Sequence, residues 1–258
     1  MIIKIDLEKA YDRLEWSFIR KVLYGANLPS DLIRMIMSCV FSASMSILFN
    51  GAVLEPFLPL RGIRQGDSSP YLFILCMEVF GWIIDEKCAN GEWKPIKASN
   101  SGPIISHLFF ANDLLLFARA DITNCRSVRD AIDEFCMKSG HIVNPVKSKI
   151  YFSPNVERDQ RMKFYDILEF WSIANLGTYM GFSLRHTRSS NQDFNFIIDR
   201  VKQKLAGWKA NLLSFAGLRI LIQASTSAIP SYVMQINYLP SRILDSLDRL
   251  NGNFLWGH

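Results

Sequence analysis

The order of strand-like and helix-like stretches constrains the fold of this chain more than any other sequence feature. The β-prone stretch "MIIKID" predicts a first strand, and residues 7–23 carry apolar side chains at three- and four-residue spacing, which predicts a helix. The next stretches predict a helix over 31–41 capped by Ser30, a hairpin turning at Asn50-Gly51, a helix over 70–88, a hairpin over 105–120, a helix over 123–140 closed by Gly140, and a strand over 147–154.

From residue 191 onward the pattern is almost wholly helical, with turns predicted near Gly207, Ser214–Gly217 and Pro230. This order is typical of an α+β body on an antiparallel sheet. It consists of a strand and helix, two hairpins alternating with helices, a strand, and then helices. We therefore predict an α+β unit over residues 1–184 and a separate helical region over residues 185–258.

The charge of the chain is unevenly distributed between these two parts. Residues 1–184 carry 20 basic and 20 acidic side chains, whereas residues 185–258 carry nine basic and four acidic ones. An excess of positive charge is expected of a region that binds phosphates. A solvated helical face rich in lysine and arginine explains it equally well.

Cysteine usage and hydropathy indicate the compartment. The five cysteines form no CxxC or Cys/His cluster, which predicts free thiols rather than a zinc site or a disulfide framework. The start of the chain lacks a cleavable leader, and the longest apolar run, residues 70–84, is too short for a membrane span and contains Glu78. We therefore expect a soluble intracellular protein of the nucleus or cytoplasm.

Two aspartates stand where predicted strands end or turn. Asp6 ends the first predicted strand, and Asp113 lies with Asn112 at the predicted tip of the hairpin "LFFANDLLLF". If the two strands are neighbours in one sheet, the carboxylates converge and can bind Mg²⁺, which takes hard oxygen ligands from carboxylates, water and phosphate. An aspartate at a strand end is more often a turn or helix cap, so spacing alone leaves both interpretations open.

Several stretches together resemble a known family. They are "IDLEKAYDRLEW", "RGIRQGDSSPYLF", "FFANDLLLF", "GHIVNPVKSKIYFSP" and "LGTYMGF", which follow the order and rough spacing of the reverse transcriptase motifs of non-LTR (LINE-type) retrotransposons. The tail from "KLAGWKANLLSF" through "NFLWG" is similar to the segment that follows the polymerase in such elements from flowering plants. The resemblance implies a polymerase palm followed by a helical thumb-like region. It also implies an RNA-directed DNA polymerase that uses an RNA template, a DNA primer, deoxynucleotide triphosphates and Mg²⁺.

The resemblance also implies roles for individual residues of the palm. Asp6 and Asp113 would bind metal, and Tyr11 would lie under the sugar of the incoming nucleotide and discriminate against a 2′-hydroxyl. Gln65 and Gly66 would lie along the nucleotide and template. Lys147 would face the leaving pyrophosphate. Without the family, Tyr11 is an ordinary buried tyrosine, Gln65 a loop amide and Lys147 a surface lysine.

Further along the chain, the resemblance and the charge excess point to contacts with nucleic acid. Residues 176–182 would grip the primer end, with Tyr179 and Gly181 in the segment and glycine permitting close approach of the backbone. The basic side chains of the helical region that would bind nucleic acid are Lys202, Lys204 and Lys209.

The sequence departs from the family pattern in three respects. Asn112 stands where the family has an aspartate that binds metal, and the loop after Gly66 is one residue shorter than the family's. The chain also begins at the first catalytic strand, so the finger segments that precede this strand in the family are expected to be missing. We therefore expect a fragment that folds but is catalytically defective. A non-catalytic nucleic-acid-binding protein derived from the same retroelement is the alternative, and a relic without a retained role also stays open.

Overall fold

The chain forms two compact units, residues 1–176 and 177–258. The computed structural model describes residues 1–64, 69–97, 99, 101–175, 177–179, 182–183, 194–206, 213–235 and 238–256. The boundary predicted from the sequence was residue 184, so the short hairpin after residue 177 belongs to the second unit rather than the first.

The first unit combines helices and strands. Its strands are β1 Ile2–Asp6, β2 Leu48–Phe49, β3 Ala52–Val53, β4 Ile96–Lys97, β5 Ile104–Ile105, β6 His107–Phe110, β7 Asp113–Phe117, β8 Lys149–Tyr151 and β9 Trp171–Ile173. Its helices are α1 Ala10–Arg13, α2 Trp16–Gly25, α3 Ser30–Phe41, α4 Ser69–Ala89, α5 Ile122–Ser139 and α6 Arg158–Leu168.

A five-stranded sheet organises this unit, in the order β6-β7-β1-β8-β9. Neighbouring strands are antiparallel except β8 and β9, which are parallel. Buried side chains of the central strands, such as Ile3, Leu114 and Ile150, join those of the helices, such as Phe80 and Phe135, in one core. The predicted α+β class is confirmed, whereas α6 and the parallel strand β9 were not predicted.

The helix predicted over residues 7–23 is interrupted. Leu14 is extended, with φ −62° and ψ 119°, and separates α1 from α2. Two backbone hydrogen bonds hold this break, because the Gly62 N–H donates to the Leu14 carbonyl at 2.8 Å and the Glu15 N–H to the Ser139 carbonyl at 3.0 Å. Bonds from distant parts of the chain therefore replace local helical ones, which the apolar spacing could not indicate.

Local turn chemistry was predicted more accurately than helix length. Asn50 and Gly51 both have positive φ, 48° and 83°, as a two-residue type I′ hairpin requires. Gly140 ends α5 in the left-handed conformation, with φ 81°. Ser30 is not a cap, since α3 begins at Ser30 itself and the residue before the helix is Pro29, without a side-chain cap hydrogen bond.

The second unit contains one hairpin followed by helices. Its elements are β10 Thr178–Tyr179, β11 Phe182–Ser183, α7 Asn195–Ala206, α8 Phe215–Leu221, a π-helical turn Ile222–Thr226, α9 Ala228–Met234 and α10 Ser241–Trp256. Ser214 caps α8 by accepting a hydrogen bond from the Gly217 N–H. The turn predicted at Pro230 is wrong, because Pro230 is the third residue of α9, in a first turn where its missing N–H costs little. Gly207 lies outside the described residues.

Two expectations about the whole chain concern thiols and membranes. All five cysteines are free thiols, as predicted, and burial raises the pKa of Cys76 and Cys125 to about 12. Among the described residues, no helix is both long enough and apolar enough to cross a membrane. The predicted compartment stays a prediction.

Candidate active site

Asp6 and Asp113 lie side by side at one end of the central strand pair. Asp6 is the last residue of β1, Asp113 is the first residue of β7, and the antiparallel register places them directly opposite each other. Opposed residues of an antiparallel pair have Cβ atoms about 4.5–5.5 Å apart and side chains on the same face. Both residues are half-buried. The expected neighbourhood of the two strands is therefore confirmed, and the two aspartates lie opposite each other in the sheet.

The hairpin that carries Asp113 turns one residue earlier than predicted. Phe110 pairs with Asp113, so the two-residue turn is Ala111-Asn112 and Asp113 already belongs to β7 rather than to the tip. Ala111 has φ +50°, a left-handed conformation that costs a residue with a Cβ on the order of 1 kcal/mol. Asn112 is exposed at this turn and directly precedes Asp113. The position is open to a ligand, but its amide brings no charge.

The donor set of the pair suits a site that is completed by a ligand. Among the described residues there is no group of three or more His, Cys, Asp or Glu side chains that could hold a metal ion. Mg²⁺ is commonly bound through one or two carboxylates, with water and substrate phosphate supplying the other ligands. Asp6 and Asp113 can supply these two carboxylates. An aspartate at position 112 would supply a third.

The segment before β8, the neighbour of β1 on the side away from β7, binds the backbone of Asp6. We refer to residues 139–148, which begin at the last residue of α5, as the clasp segment. The Asp6 carbonyl accepts from the Asn144 N–H at 2.9 Å, and the Asp6 N–H donates to the hydroxyl of buried Ser148 at 3.1 Å. Neither Asn144 nor Ser148 was identified from the sequence, although the Asn-Pro dipeptide at 144–145 is a turn signal.

Lys147 lies beside the aspartate pair. Its Nζ is 4.0 Å from Oδ2 of Asp6, and its side chain is 68% exposed. The side-chain oxygen of Asn144 accepts from the N–H groups of Val146 and Lys147, both at 3.1 Å, in a local turn. Asn144 therefore connects the backbone of Asp6 with the position of Lys147. This predicted site residue therefore lies beside Asp6, at the edge of ion-pair distance.

Tyr11 stands on the short helix α1, close to the same strand end. Its ring stacks on that of Phe73 from α4, with centroids 4.5 Å apart and an interplanar angle of 19°. Its carbonyl accepts from the Ile63 N–H at 2.9 Å. A Cβ on Gly62 would stand 2.6 Å from the backbone carbonyl oxygen of Asp12. Only glycine at position 62 therefore lets this loop approach α1 so closely.

A groove borders α1 on the side of this loop. Its volume is about 740 Å³, and apolar side chains of α3 and α4 form much of its wall. Asp12, Arg61, Arg64 and Tyr71 supply its polar and aromatic lining. Gln65 and Gly66, which were predicted to contact the nucleotide, lie outside the described residues.

The remaining predicted site residues belong to the second unit. The backbone of Tyr179 lies in β10 and pairs with Phe182 of β11, whereas Gly181 and Lys209 lie outside the described residues. Helix α7 buries Ile197, Val201 and Leu205, which leaves Lys202 and Lys204 exposed. These two lysines are therefore free of the core and available to a phosphate.

Comparison with protein families identifies a match over most of the chain. A family model described as reverse transcriptase (RNA-dependent DNA polymerase) matches residues 1–209. This range includes the aspartate pair, the clasp segment and α7.

Similar curated proteins come from a plant and an insect. The chain is 46% identical over 67 residues to an uncharacterized mitochondrial protein of Arabidopsis thaliana, which covers 26% of this chain and 55% of that protein. It is 40% identical over 70 residues to a putative ribonuclease H protein of Arabidopsis thaliana, with 27% and 11% covered. It is 30% identical over 118 residues to the retrovirus-related Pol polyprotein of a type-2 retrotransposable element of Drosophila melanogaster, with 45% and 10% covered. The chain thus spans about half the length of the first relative and about a tenth of the others.

Two solved telomerases resemble the chain in structure. Telomerase from Candida tropicalis, solved with a fragment of telomeric RNA, has a TM-score of 0.47 and 16% identity, covering 95% of this chain and 41% of its own. Telomerase from Candida albicans, also solved with such a fragment, has a TM-score of 0.47 and 13% identity, with 98% and 43% covered.

Proposed function

The chain belongs to the reverse transcriptase (RNA-dependent DNA polymerase) family, and we propose that it is the polymerase module of a non-LTR retrotransposon protein whose catalysis is impaired at Asn112. The observation that carries the proposal is the pairing of Asp6 with Asp113, with Lys147 4.0 Å from Asp6. In this proposal, residues 1–176 form the palm and residues 177–258 the thumb-like region.

The proposed reaction joins a deoxynucleotide to the 3′ end of a primer opposite an RNA template. Asp6 and Asp113 would hold Mg²⁺, which activates the attacking hydroxyl and steadies the leaving oxygen when bound. The Lys147 ammonium, 4.0 Å from Asp6, would stabilise the charge of the leaving pyrophosphate and donate a proton to it. The Tyr11 ring, stacked on Phe73, would support the sugar of the incoming nucleotide and oppose a 2′-hydroxyl.

The impairment follows from the charge at the hairpin turn. Asn112 is exposed next to Asp113, and its amide oxygen can touch a cation but contributes no negative charge. A divalent ion bound together with a triphosphate depends on carboxylates for position and charge balance. Asparagine fits a tight hairpin turn as well as aspartate does. The substitution therefore leaves the fold intact and weakens the metal site.

Partners of the module are proposed from the charged surfaces. The exposed Lys202 and Lys204 of α7 would contact the phosphates of a primer and template. Arg61 and Arg64 line the groove beside α1, where a phosphate chain would meet positive charge. A non-catalytic nucleic-acid-binding role is a second candidate, favoured by the combination of a basic α7 and a site with an amide at position 112.

Primer extension combined with a binding assay tests the proposal. We expect the purified chain to bind a labelled DNA primer on an RNA template but not to extend it above a no-enzyme control, with either Mg²⁺ or Mn²⁺. Asp6→Ala tests the site, and Asp130→Ala, at an exposed position of α5, is the matched control. Extension that Asp6→Ala abolishes and Asp130→Ala preserves would show that the site catalyses with Asn112 in place, which contradicts the expected loss of extension. Failure to bind the primer–template at low salt would reject both functions.

A further inference from the structure

His141 of the clasp segment is buried next to α1 and has no part in the proposed reaction. Its Nε2 lies 2.9 Å from the Ala10 carbonyl oxygen, and its Nδ1 lies 2.8 Å from the Ser139 hydroxyl, which shares its one hydrogen between Nδ1 and the Phe135 carbonyl oxygen at 2.7 Å. Only 2% of the residue is exposed. Burial lowers the pKa of His141 to about 4, so the ring is neutral at neutral pH. Because a carbonyl can only accept, Nε2 carries the hydrogen and donates it to Ala10.

The hydrogen bond from His141 reaches the helix that carries Tyr11. Ala10 is the first residue of α1 and directly precedes Tyr11. A four-residue helix is too short to be stable by itself, and Lys9 before it is left-handed, with φ 45° and no side-chain cap. The position of α1 is therefore set by tertiary contacts, of which the bond from His141 is one.

A second route connects His141 with the Tyr11 side chain. The ring of His141 meets the ring of Phe73 edge-on, with centroids 6.1 Å apart and an interplanar angle of 80°. The Phe73 ring in turn stacks on the Tyr11 ring, with centroids 4.5 Å apart. The His141 ring also stacks on the ring of Phe135 from α5, with centroids 5.4 Å apart and an interplanar angle of 15°. One buried ring thus touches both the backbone before Tyr11 and the ring on which Tyr11 lies.

Backbone contacts next to His141 restrict the same region. The Glu8 N–H donates to the Ile142 carbonyl at 2.8 Å, and the Glu15 N–H donates to the Ser139 carbonyl at 3.0 Å. A Cβ on Gly140 would stand 2.6 Å from Cγ of Glu15. The clasp segment therefore lies closely along residues 8–15 on both sides of Tyr11, so a displaced His141 ring would displace α1.

We propose that His141 is a positioning residue for Tyr11, which fixes the Tyr11 ring through Ala10 and Phe73 and thereby sets how strongly the nucleotide site prefers deoxyribose over ribose. The sugar preference rests on the proposed function, whereas the positioning of Tyr11 does not.

Two variants of His141 separate the hydrogen bond from the packing. His141→Gln keeps an N–H group that can donate to Ala10, whereas His141→Phe keeps a planar ring and loses the donor. Phe164→Leu, a buried change on α6, is the control for a loss of stability away from α1. Should His141→Phe not fold, Ser139→Ala removes the partner of Nδ1 and allows the ring to turn, and we expect it to act in the same direction with a smaller effect.

The first measurement is fluorine NMR of the free chain labelled with 3-fluorotyrosine, in which Tyr11→Phe identifies the Tyr11 signal among eight tyrosines. We expect His141→Phe to shift or broaden the Tyr11 signal most. His141→Gln keeps the donor to Ala10 but loses the ring contact with Phe73, so it should shift the signal less, and Phe164→Leu should leave it in place. An unchanged signal in His141→Phe, or an equal change in Phe164→Leu, would overturn the proposal, because His141 would then contribute only general stability.

The second measurement is the binding of fluorescent deoxyribo- and ribonucleoside triphosphates that carry the same base. We expect the parent and His141→Gln to prefer the deoxyribonucleotide, and the preference to fall by about tenfold in His141→Phe, the size of one lost buried hydrogen bond. A parent that binds neither nucleotide would reject the proposed function and the sugar selection with it. Nucleotide binding with an unchanged preference in His141→Phe would reject the role of His141 alone.

Discussion

Replacing Asn112 by aspartate is expected to make the stability of the chain depend on divalent metal. Asn112 directly precedes Asp113, which lies opposite Asp6, so the variant places a third carboxylate at one strand end. At a separation of about 6 Å and an effective dielectric constant of about 40–80, each repulsion is about 0.7–1.4 kcal/mol. Because position 112 is exposed, we take about 1 kcal/mol in total. In EDTA this lowers the Tm by roughly 2–4 °C for a chain of this size.

Metal reverses that loss by binding only the folded state. At ten times its dissociation constant, a bound ion adds about 1.4 kcal/mol to the free energy of unfolding. The Tm of Asn112→Asp should therefore rise by roughly 3–6 °C between EDTA and saturating Mn²⁺ or Mg²⁺. The parent should rise less, since it has one carboxylate fewer.

The assay is a set of thermal melts in EDTA, Mg²⁺ and Mn²⁺. Asn90→Asp, at an exposed position after α4, is the matched control for added charge and should show no gain from metal. Adding Asp6→Asn to Asn112→Asp should abolish the gain. If the parent and Asn112→Asp respond alike, or if the gain survives the loss of Asp6, positions 6 and 112 do not share a metal site.

Three further predictions concern nucleic-acid binding and backbone strain. Changing Lys202 and Lys204 together to Gln should flatten the salt dependence of single-strand binding, which is about −0.7 per neutralised phosphate, and an unchanged slope would place the contact elsewhere. Gly62→Ala should lower the free energy of unfolding by more than about 1 kcal/mol in denaturant titrations, because φ is +84° and the Cβ would strike backbone. Gly25→Ala, with open space around it, should not. Ala111→Gly should raise the free energy of unfolding by about 1 kcal/mol, since φ is +50°, and a loss of stability would contradict strain there.

The sequence by itself determined the elements whose signals are local. Apolar spacing predicted α4 and α5, and turn residues predicted the hairpin at Asn50-Gly51 and the left-handed Gly140. The pairing of Asp6 with Asp113 was expected only from the resemblance to the reverse transcriptase motifs, because the strand pattern alone left a turn or cap role open for both residues. The roles assigned to Tyr11 and Lys147 stay predictions, although the structure places Lys147 4.0 Å from Asp6.

Only the tertiary structure decided the features that depend on distant parts of the chain. Helix α6 was missed because it buries little more than Phe164 and Leu168, which leaves a weak apolar pattern. The break at Leu14 depends on the hydrogen bonds from Gly62 to Leu14 and from Glu15 to Ser139. The clasp segment is held by hydrogen bonds such as those of Asp6 with Ser148 and of Ala10 with His141, whose partners are 142 and 131 residues apart. A backbone N–H or carbonyl is the same in every residue, so its long-range partner has no local signature. Ser148 and His141 could therefore not be identified from the sequence as partners of Asp6 and Ala10.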